Sequence, residues 1–244
     1  MKRRSSMGLL SGLMAAATLP LGVASAASQV CAVQSGAQLT PVIELYTSEG
    51  CSSCPPADRW LSGLKDKPVV ALAFHVAYWD YIGWKDRFAQ PAFSSRQKEI
   101  AALNGLTGIY TPQLVRNGRD WRDYDRAAQT TSPARATISL QRLGASDTFE
   151  ARITPVATDR AWTAHWSVTE DGHSSRVKAG ENSGEFLKHD FVVRQFTPVG
   201  QYRGAQVLQF FAIASQPEHP RRVNLVVSDA QTGEPLQGVS LPCT

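Results

Sequence analysis

Cys51 and Cys54 lie three positions apart in Gly50-Cys51-Ser52-Ser53-Cys54-Pro55-Pro56. At that spacing two thiols can close a small disulfide and reopen it. The attacking species in disulfide exchange is the thiolate. A pair of this kind works in two steps. Cys51 attacks a substrate disulfide and forms a mixed disulfide; Cys54 then attacks Cys51 and releases the substrate. Run backwards, the same steps donate a disulfide. Two other readings stand beside this one. The pair can be a structural bridge that only pins its loop. With His75 it can supply three ligands, Cys51, Cys54 and His75, to copper or zinc, although a histidine at that place can equally be hydrogen-bonded within the fold.

These residues need a frame. Val42 to Tyr46 reads as a strand leading to the pair. Ala57, Trp60, Leu61 and Leu64 recur at i, i+3, i+4 and i+7, one face of a helix. Proline is tolerated in a helix's first turn, so the helix is expected to begin at Pro55 with Cys54 as its cap. A helix N-terminus offers unpaired N–H groups and about half a positive charge, both favouring a thiolate. Here Pro55 and Pro56 remove two of those N–H groups, and Glu49 opposes a thiolate. The unbroken apolar run Val69 to Val76 suits a central strand buried on both faces. A second helix is expected over Ala92 to Leu103, stopped by Asn104-Gly105. Gln113 to Arg116 and Arg119 to Arg122 flank Asn117-Gly118, a strong hairpin signal. Thr111-Pro112 precedes that hairpin. A cis bond there is expected to present the backbone of Thr111 beside the Cys pair, where an extended substrate can pair with it.

Past a short helix near Tyr124 to Ala128 and a polar linker, the pattern changes. Thr137 to Leu143, Phe149 to Ile153 and Trp162 to Val168 alternate apolar and polar residues. Further strands are expected at Phe191 to Phe196, Gln206 to Ala214 and Arg222 to Val227. Short strands separated by turn signals argue a β-sandwich. The aromatics of Tyr78 to Trp84, with Asp80 and Asp86, read either as the lining of a groove or as satellite core. His189-Asp190 has no nucleophile motif around it.

The N-terminus reads as a secretory signal: Lys2, Arg3 and Arg4, then an apolar but interrupted stretch, then Ala24-Ser25-Ala26 as a cleavage site. The formal charge of +4 falls to about +1 without that segment, which gives no case for nucleic-acid binding. All three methionines, Met1, Met7 and Met14, belong to it. Four cysteines remain. An even count in an exported chain suggests disulfides, and pairing Cys51 with Cys54 leaves Cys31 for Cys243.

Three segments together carry a resemblance to a known family. They are Leu45-Tyr46-Thr47-Ser48-Glu49-Gly50-Cys51-Ser52-Ser53-Cys54-Pro55-Pro56-Ala57-Asp58, the pair Phe74-His75-Val76 and Tyr78-Trp79-Asp80 with Gly83-Trp84-Lys85-Asp86, and Tyr110-Thr111-Pro112-Gln113. The chain resembles an exported bacterial thioredoxin-like family of unassigned function, domain of unknown function 1223, within the thioredoxin superfamily. The fold expected is an α/β thioredoxin-like domain followed by an all-β, sandwich-like domain. Its divisions would be a signal peptide over 1–26, the thioredoxin-like unit over 27–129, a linker over 130–136 and the β-unit over 137–244. The function expected is thiol–disulfide exchange on exported protein thiols or disulfides, in the periplasm or outside the cell, with Cys51, Cys54, Thr111 and Pro112 at the site and no cofactor. No membrane association is expected after signal cleavage. The alternative is a non-enzymatic module that binds copper, zinc or a partner.

Overall fold

A computed structural model describes residues 31–129 and 132–243. The signal-peptide reading of residues 1–26 and two positions of the expected linker, Thr130 and Thr131, lie outside the described residues.

The described chain forms fifteen strands and two α-helices. β1 (Ala32–Gln34) and β2 (Val42–Thr47) precede α1 (Pro55–Ser62). β3 (Val70–His75) leads through a 3-10 turn, Ala77–Ile82, to α2 (Pro91–Leu103). β4 (Gln113–Arg116) and β5 (Arg119–Asp120) make the expected hairpin. Its corner residues Asn117 and Gly118 have φ of 50° and 77°, as a type I′ turn requires. Asn117 also anchors the turn: its backbone N–H and side-chain Oδ1 bond the carbonyl and N–H of Val42 at 2.8 and 2.9 Å.

The remaining strands are β6 (Ala136–Arg142), β7 (Thr148–Pro155), β8 (Ala161–Glu170), β9 (His173–Arg176), β10 (Phe186–His189), β11 (Val192–Pro198), β12 (Tyr202–Arg203), β13 (Gln206–Phe211), β14 (Arg221–Asp229) and β15 (Pro235–Pro242). They do not form a sheet system of their own. A nine-stranded sheet runs in the order β15-β14-β8-β11-β3-β2-β4-β5, with β12 added beside β8. The join is the parallel contact of β11 with β3, Val192 opposite Ala73, reinforced by the Ala73 N–H donating to the Phe191 carbonyl at 2.8 Å.

This corrects the expected fold class. The protein is mostly β, and the two helices do not build an α/β thioredoxin-like domain with a separate sandwich behind it. The apolar run of β3 implied burial on both faces, but faces say nothing about which strand takes the free edge. That edge is taken by β11, from the other half of the chain.

Three cores follow from the layering. Ile43, Leu45, Ala71, Ala73 and Leu114 pack under α1 through Ala57 and Leu61. Val42, Tyr46, Val70, Leu72 and Phe74 face the opposite way, toward Phe93 and Ile100 of α2. Alternate residues of β2 thus serve opposite faces, as the two-residue period of a strand dictates. A second sheet, β1-β6-β7-β13, covers the far end of the large one. There Ile138, Leu140, Phe149, Ala151 and Ile153 pack against Trp162, Trp166, Val223 and Leu225. A disulfide joins Cys31, just before β1, to Cys243, just after β15, with Cα atoms 6.1 Å apart. Among the described residues no helix is long and apolar enough to cross a membrane.

Candidate functional site

Two elements hold the Cys pair. β2 ends at Thr47, and a tight turn follows in which the Cys51 N–H donates to the Ser48 carbonyl at 3.2 Å. Gly50 is needed in this turn because a Cβ there would meet Trp79 Cβ and Ile82 Cδ1, each at 3.1 Å. α1 then starts at Pro55 with Cys54 as its N-cap; the Ala57 and Asp58 N–H groups donate to the Cys54 carbonyl at 2.9 and 3.1 Å. Cys51 and Cys54 form a disulfide, Cα atoms 5.4 Å apart. Both are buried, with relative exposures of 1% and 0%, while Ser52 and Ser53 between them are exposed.

Behind this loop lies a cluster of buried titratable side chains from five segments: Glu49 of the Cys loop, Asp58 of α1, His75 of β3, Asp86 of the segment before α2, and His189 of β10. His75 Nδ1 is 2.6 Å from Asp86 Oδ2. His189 lies between two carboxylates, Nε2 being 3.2 Å from Glu49 and Nδ1 3.7 Å from Asp58. The His75 and His189 rings meet edge to face, centroids 4.9 Å apart, and Phe88 closes the cluster at 5.2 and 5.7 Å from them.

Charge in this cluster is set by burial against pairing. Burial pushes the Asp86 carboxyl up, but His75 and two backbone N–H groups outweigh it and hold Asp86 at about 2. Burial likewise opposes the charged form of His75, and Asp86 overcomes it, so His75 is raised above its ordinary value. For Glu49, burial is outweighed by the adjacent His189 and Ser175 and by the hydrogen bond from Trp84, leaving the carboxyl below its usual range. Asp58 goes the other way: burial raises it, and the neighbouring histidines offset only part of the rise. Two carboxylates of one cluster are therefore driven apart.

Thr111–Pro112 is a cis peptide. Pro112 shares a cleft of about 330 Å³ with Ser53, Pro56, Ala57, Trp60 and Tyr124. Thr111 Oγ1 accepts the Trp79 indole N–H at 2.8 Å, and Trp84 donates to Glu49 at 2.7 Å. The Tyr78 to Trp84 aromatics are thus partly core, with Tyr78 and Trp79 packed on the α2-side cluster, and partly a wall of the Cys loop.

The fold therefore gathers Cys51, Cys54, Thr111 and Pro112 in one region. His75 is bonded to Asp86, and among the described residues no three His, Cys, Asp or Glu side chains are arranged to hold a metal ion. Sequence reasoning reads Asp86 as the lining of a groove or as satellite core, takes His189-Asp190 as a weak acid–base pair, and does not place Asp58, Asp86 and His189 together behind the Cys loop. Their only signal is polarity: Asp58 is an acid one turn after Cys54, on a helix face that packs inward. Glu181 and Asn182 carried no signal at all. They reach the Cys loop from the β9–β10 connection, Asn182 Nδ2 donating to the Glu49 and Cys51 carbonyls at 2.9 and 3.0 Å.

Two solved structures are similar. Protein AGR_C_4864 from Agrobacterium tumefaciens is 27% identical, with a TM-score of 0.65 over 85% of this chain and 96% of that one. HBP35 of Porphyromonas gingivalis is 12% identical, with a TM-score of 0.59 over 85% of this chain and 76% of that one, a likeness of fold alone. No curated protein matches the chain. The motifs around Cys51, His75 and Thr111 all fall within residues 42–228, the span matched by the family described as "Protein of unknown function (DUF1223)", and the chain belongs to that family.

Proposed function

We propose that this protein exchanges thiols and disulfides with other exported proteins. The carrying observation is that Ser53, inside the Cys51–Cys54 loop, and Pro112 line one cleft with Trp60 and Tyr124. A polypeptide lying in that cleft has a redox-capable pair at one side and an apolar, aromatic floor beneath it.

In the reduced protein, Cys51 as thiolate attacks one sulfur of a substrate disulfide. The substrate S–S bond breaks, a mixed disulfide with Cys51 forms, and the departing substrate thiolate takes up a proton. Cys54, having lost its proton, attacks the Cys51 sulfur. The second substrate thiol leaves, the Cys51–Cys54 bond is restored, and two electrons have passed to the substrate. The reverse sequence oxidises a substrate dithiol. A further dithiol or disulfide, protein or small molecule, must reset the pair after each turn. Cys54 takes the resolving role because it caps α1, while Cys51 lies in the turn ahead of the helix.

Two proposals accompany this one. The protein is exported to the periplasm or beyond, a reading supported by the basic and apolar start of the sequence and by two disulfides. Its kinship with the thioredoxin superfamily is proposed on the Cys51–Cys54 pair at the start of α1 and the cis Thr111–Pro112 bond.

Cys54→Ser is the test. It should accumulate mixed disulfides with envelope proteins, and Cys51→Ser should accumulate far fewer. Equal trapping by both, or none by either, refutes the exchange reading. The reduction potential of the pair then gives the direction. Near about −120 mV it is an oxidant, near about −270 mV a reductant, and well below about −300 mV an inert bridge.

A further inference from the structure

β9 and β10 pair with each other and with neither larger sheet. Their connection, residues 177–185, crosses the Cys loop. Asn182, itself buried, bonds the two carbonyls that flank Gly50, those of Glu49 and Cys51. The exposed Ser52 N–H donates to Glu181 Oε2 at 3.0 Å. At Gly180 (φ +74°) the backbone presses on the same wall: a Cβ there would lie 2.8 Å from Ile82 Cδ1. None of these contacts is local in sequence; Asn182 and Cys51 are 131 residues apart. Next to these contacts Cys51 is 1% exposed, while the adjacent Ser52 is exposed.

We propose that the β9–β10 hairpin is a latch over Cys51. Closed, it shields the Cys51–Cys54 bond from thiols in solution. The bond becomes reactive when residues 177–185 lift and the Glu49 and Cys51 carbonyls exchange Asn182 for another donor. A polypeptide partner can set backbone N–H groups against both carbonyls while its cysteine reaches the pair; a small thiol has no extended backbone with which to do so. The latch thus selects protein thiols over small ones. That use of it rests on the exchange reading, while the shielding itself does not.

The hairpin is well suited to move. Individual polar contacts hold its tip and foot: two bonds from Asn182 and one to Glu181 at the Cys loop, His189 between Glu49 and Asp58 below it, and Arg87 donating to the Ser174 carbonyl. No ladder of sheet hydrogen bonds must break for the tip to rise, since the ladder of β9 with β10 lies within the moving unit.

The experiment is reduction of the oxidised protein by excess dithiothreitol. The reagent becomes its cyclic disulfide as Cys51–Cys54 takes two electrons and two protons. Alkylation and peptide mapping follow each disulfide separately, so Cys31–Cys243 serves as the internal reference. Asn182→Ala should speed reduction of Cys51–Cys54 about tenfold, the factor that two lost hydrogen bonds near the low end of the ordinary range imply. Glu181→Ala, at an exposed position where folding is not at risk, should speed it about threefold. Cys31–Cys243 should react as in the wild type. Amide exchange at residues 178–184 and 51–53 should quicken together. If both variants reduce at the wild-type rate, the latch is refuted; if Asn182→Ala does not fold, Glu181→Ala alone decides. No protein substrate enters this assay. Faster reduction without trapping by Cys54→Ser would sink the exchange reading and leave the latch. Trapping without faster reduction would do the opposite.

Discussion

Asp86→Ala should be among the most damaging single substitutions outside the apolar core. Asp86 is buried and accepts three hydrogen bonds: from His75 at 2.6 Å, from the Glu49 N–H at 2.9 Å and from the Phe88 N–H at 2.9 Å. Removing the carboxylate leaves a buried imidazolium and two backbone donors without partners. Breaking a buried pair from one side costs about 3–5 kcal/mol, and the lost backbone bonds fall within that range rather than adding to it. Asp86→Asn removes the charge and one acceptor: with its oxygen kept toward His75 and the Glu49 N–H, its NH2 group faces the Phe88 N–H. The carboxyl is held at about 2 against an ordinary 3.8, and that difference corresponds to about 2 kcal/mol. The sign with pH follows from the direction of each shift. Asp86 is depressed, so its contribution is present above the unfolded-state value and is lost as pH falls from near 3.8 toward about 2. His75 is raised, so its contribution is present below its ordinary 6.5 and is lost as pH rises through its folded value. Urea unfolding of wild type and Asp86→Asn, with both disulfides intact, should show the largest gap near pH 5–6 (about 2 kcal/mol) and convergence toward pH 2. A gap below about 1 kcal/mol at pH 5–6, or one that does not change between pH 5 and 2, refutes the pairing argument.

Two further outcomes can be checked by the same unfolding experiments. Replacing both Cys31 and Cys243 by Ser opens a loop of 212 residues. A chain-entropy account puts the loss at up to about 5 kcal/mol, and an unchanged urea midpoint would refute a stabilising role. Glu44→Ala should cost about 3–5 kcal/mol, because Glu44 receives two bonds from Arg96 at 2.6 and 2.9 Å and one from the buried Tyr46 hydroxyl at 2.7 Å. Replacing Glu44 and Arg96 together by apolar residues should recover most of that loss; if it does not, the cost lies in packing rather than in a stranded guanidinium.

Local chemistry was legible in the sequence, and pairing was not. Asn117-Gly118 specifies its own backbone angles, so the β4–β5 hairpin could be read from two residues. Pro55 could be read as a helix start because its ring is tolerated only in a first turn. The alternation of β8 misled instead. Trp162, Ala164, Trp166 and Val168 do face the sandwich core, but the intervening His165, Ser167 and Thr169 are also buried, as is Asn224 on the neighbouring strand. In a sandwich those polar positions meet water. Here the large sheet continues past them and its second face is covered, with the His165 ring tilted against Phe196, centroids 5.1 Å apart. Burial and Arg96 push His165 well below its ordinary value, so it sits there as neutral imidazole. A two-residue period records the chemistry of two faces and not whether the polar one is covered.

The site follows the same division. Cys51, Cys54, Thr111 and Pro112 announce themselves through spacing and through proline. The groups that set the charge around them come from segments far apart in sequence, and each is unremarkable on its own. His189 acquires meaning only when β10 brings it between Glu49 and Asp58. Glu49 stood out as a charge adverse to a neighbouring thiolate, and the fold keeps it ionised through His189, Ser175 and Trp84 rather than neutralising it. A carboxylate preserved beside the Cys loop, with Asn182 fastened over the same turn, favours the closed disulfide in two ways. One raises the electrostatic cost of a Cys51 thiolate; the other limits the access of an attacking thiol. On the latch proposal, a partner lifts residues 177–185 first, and a movement that carried β10 along would also draw His189 away from Glu49. The charge next to Cys51 and the cover above it would then change together because one hairpin, β9–β10, carries both Asn182 and His189.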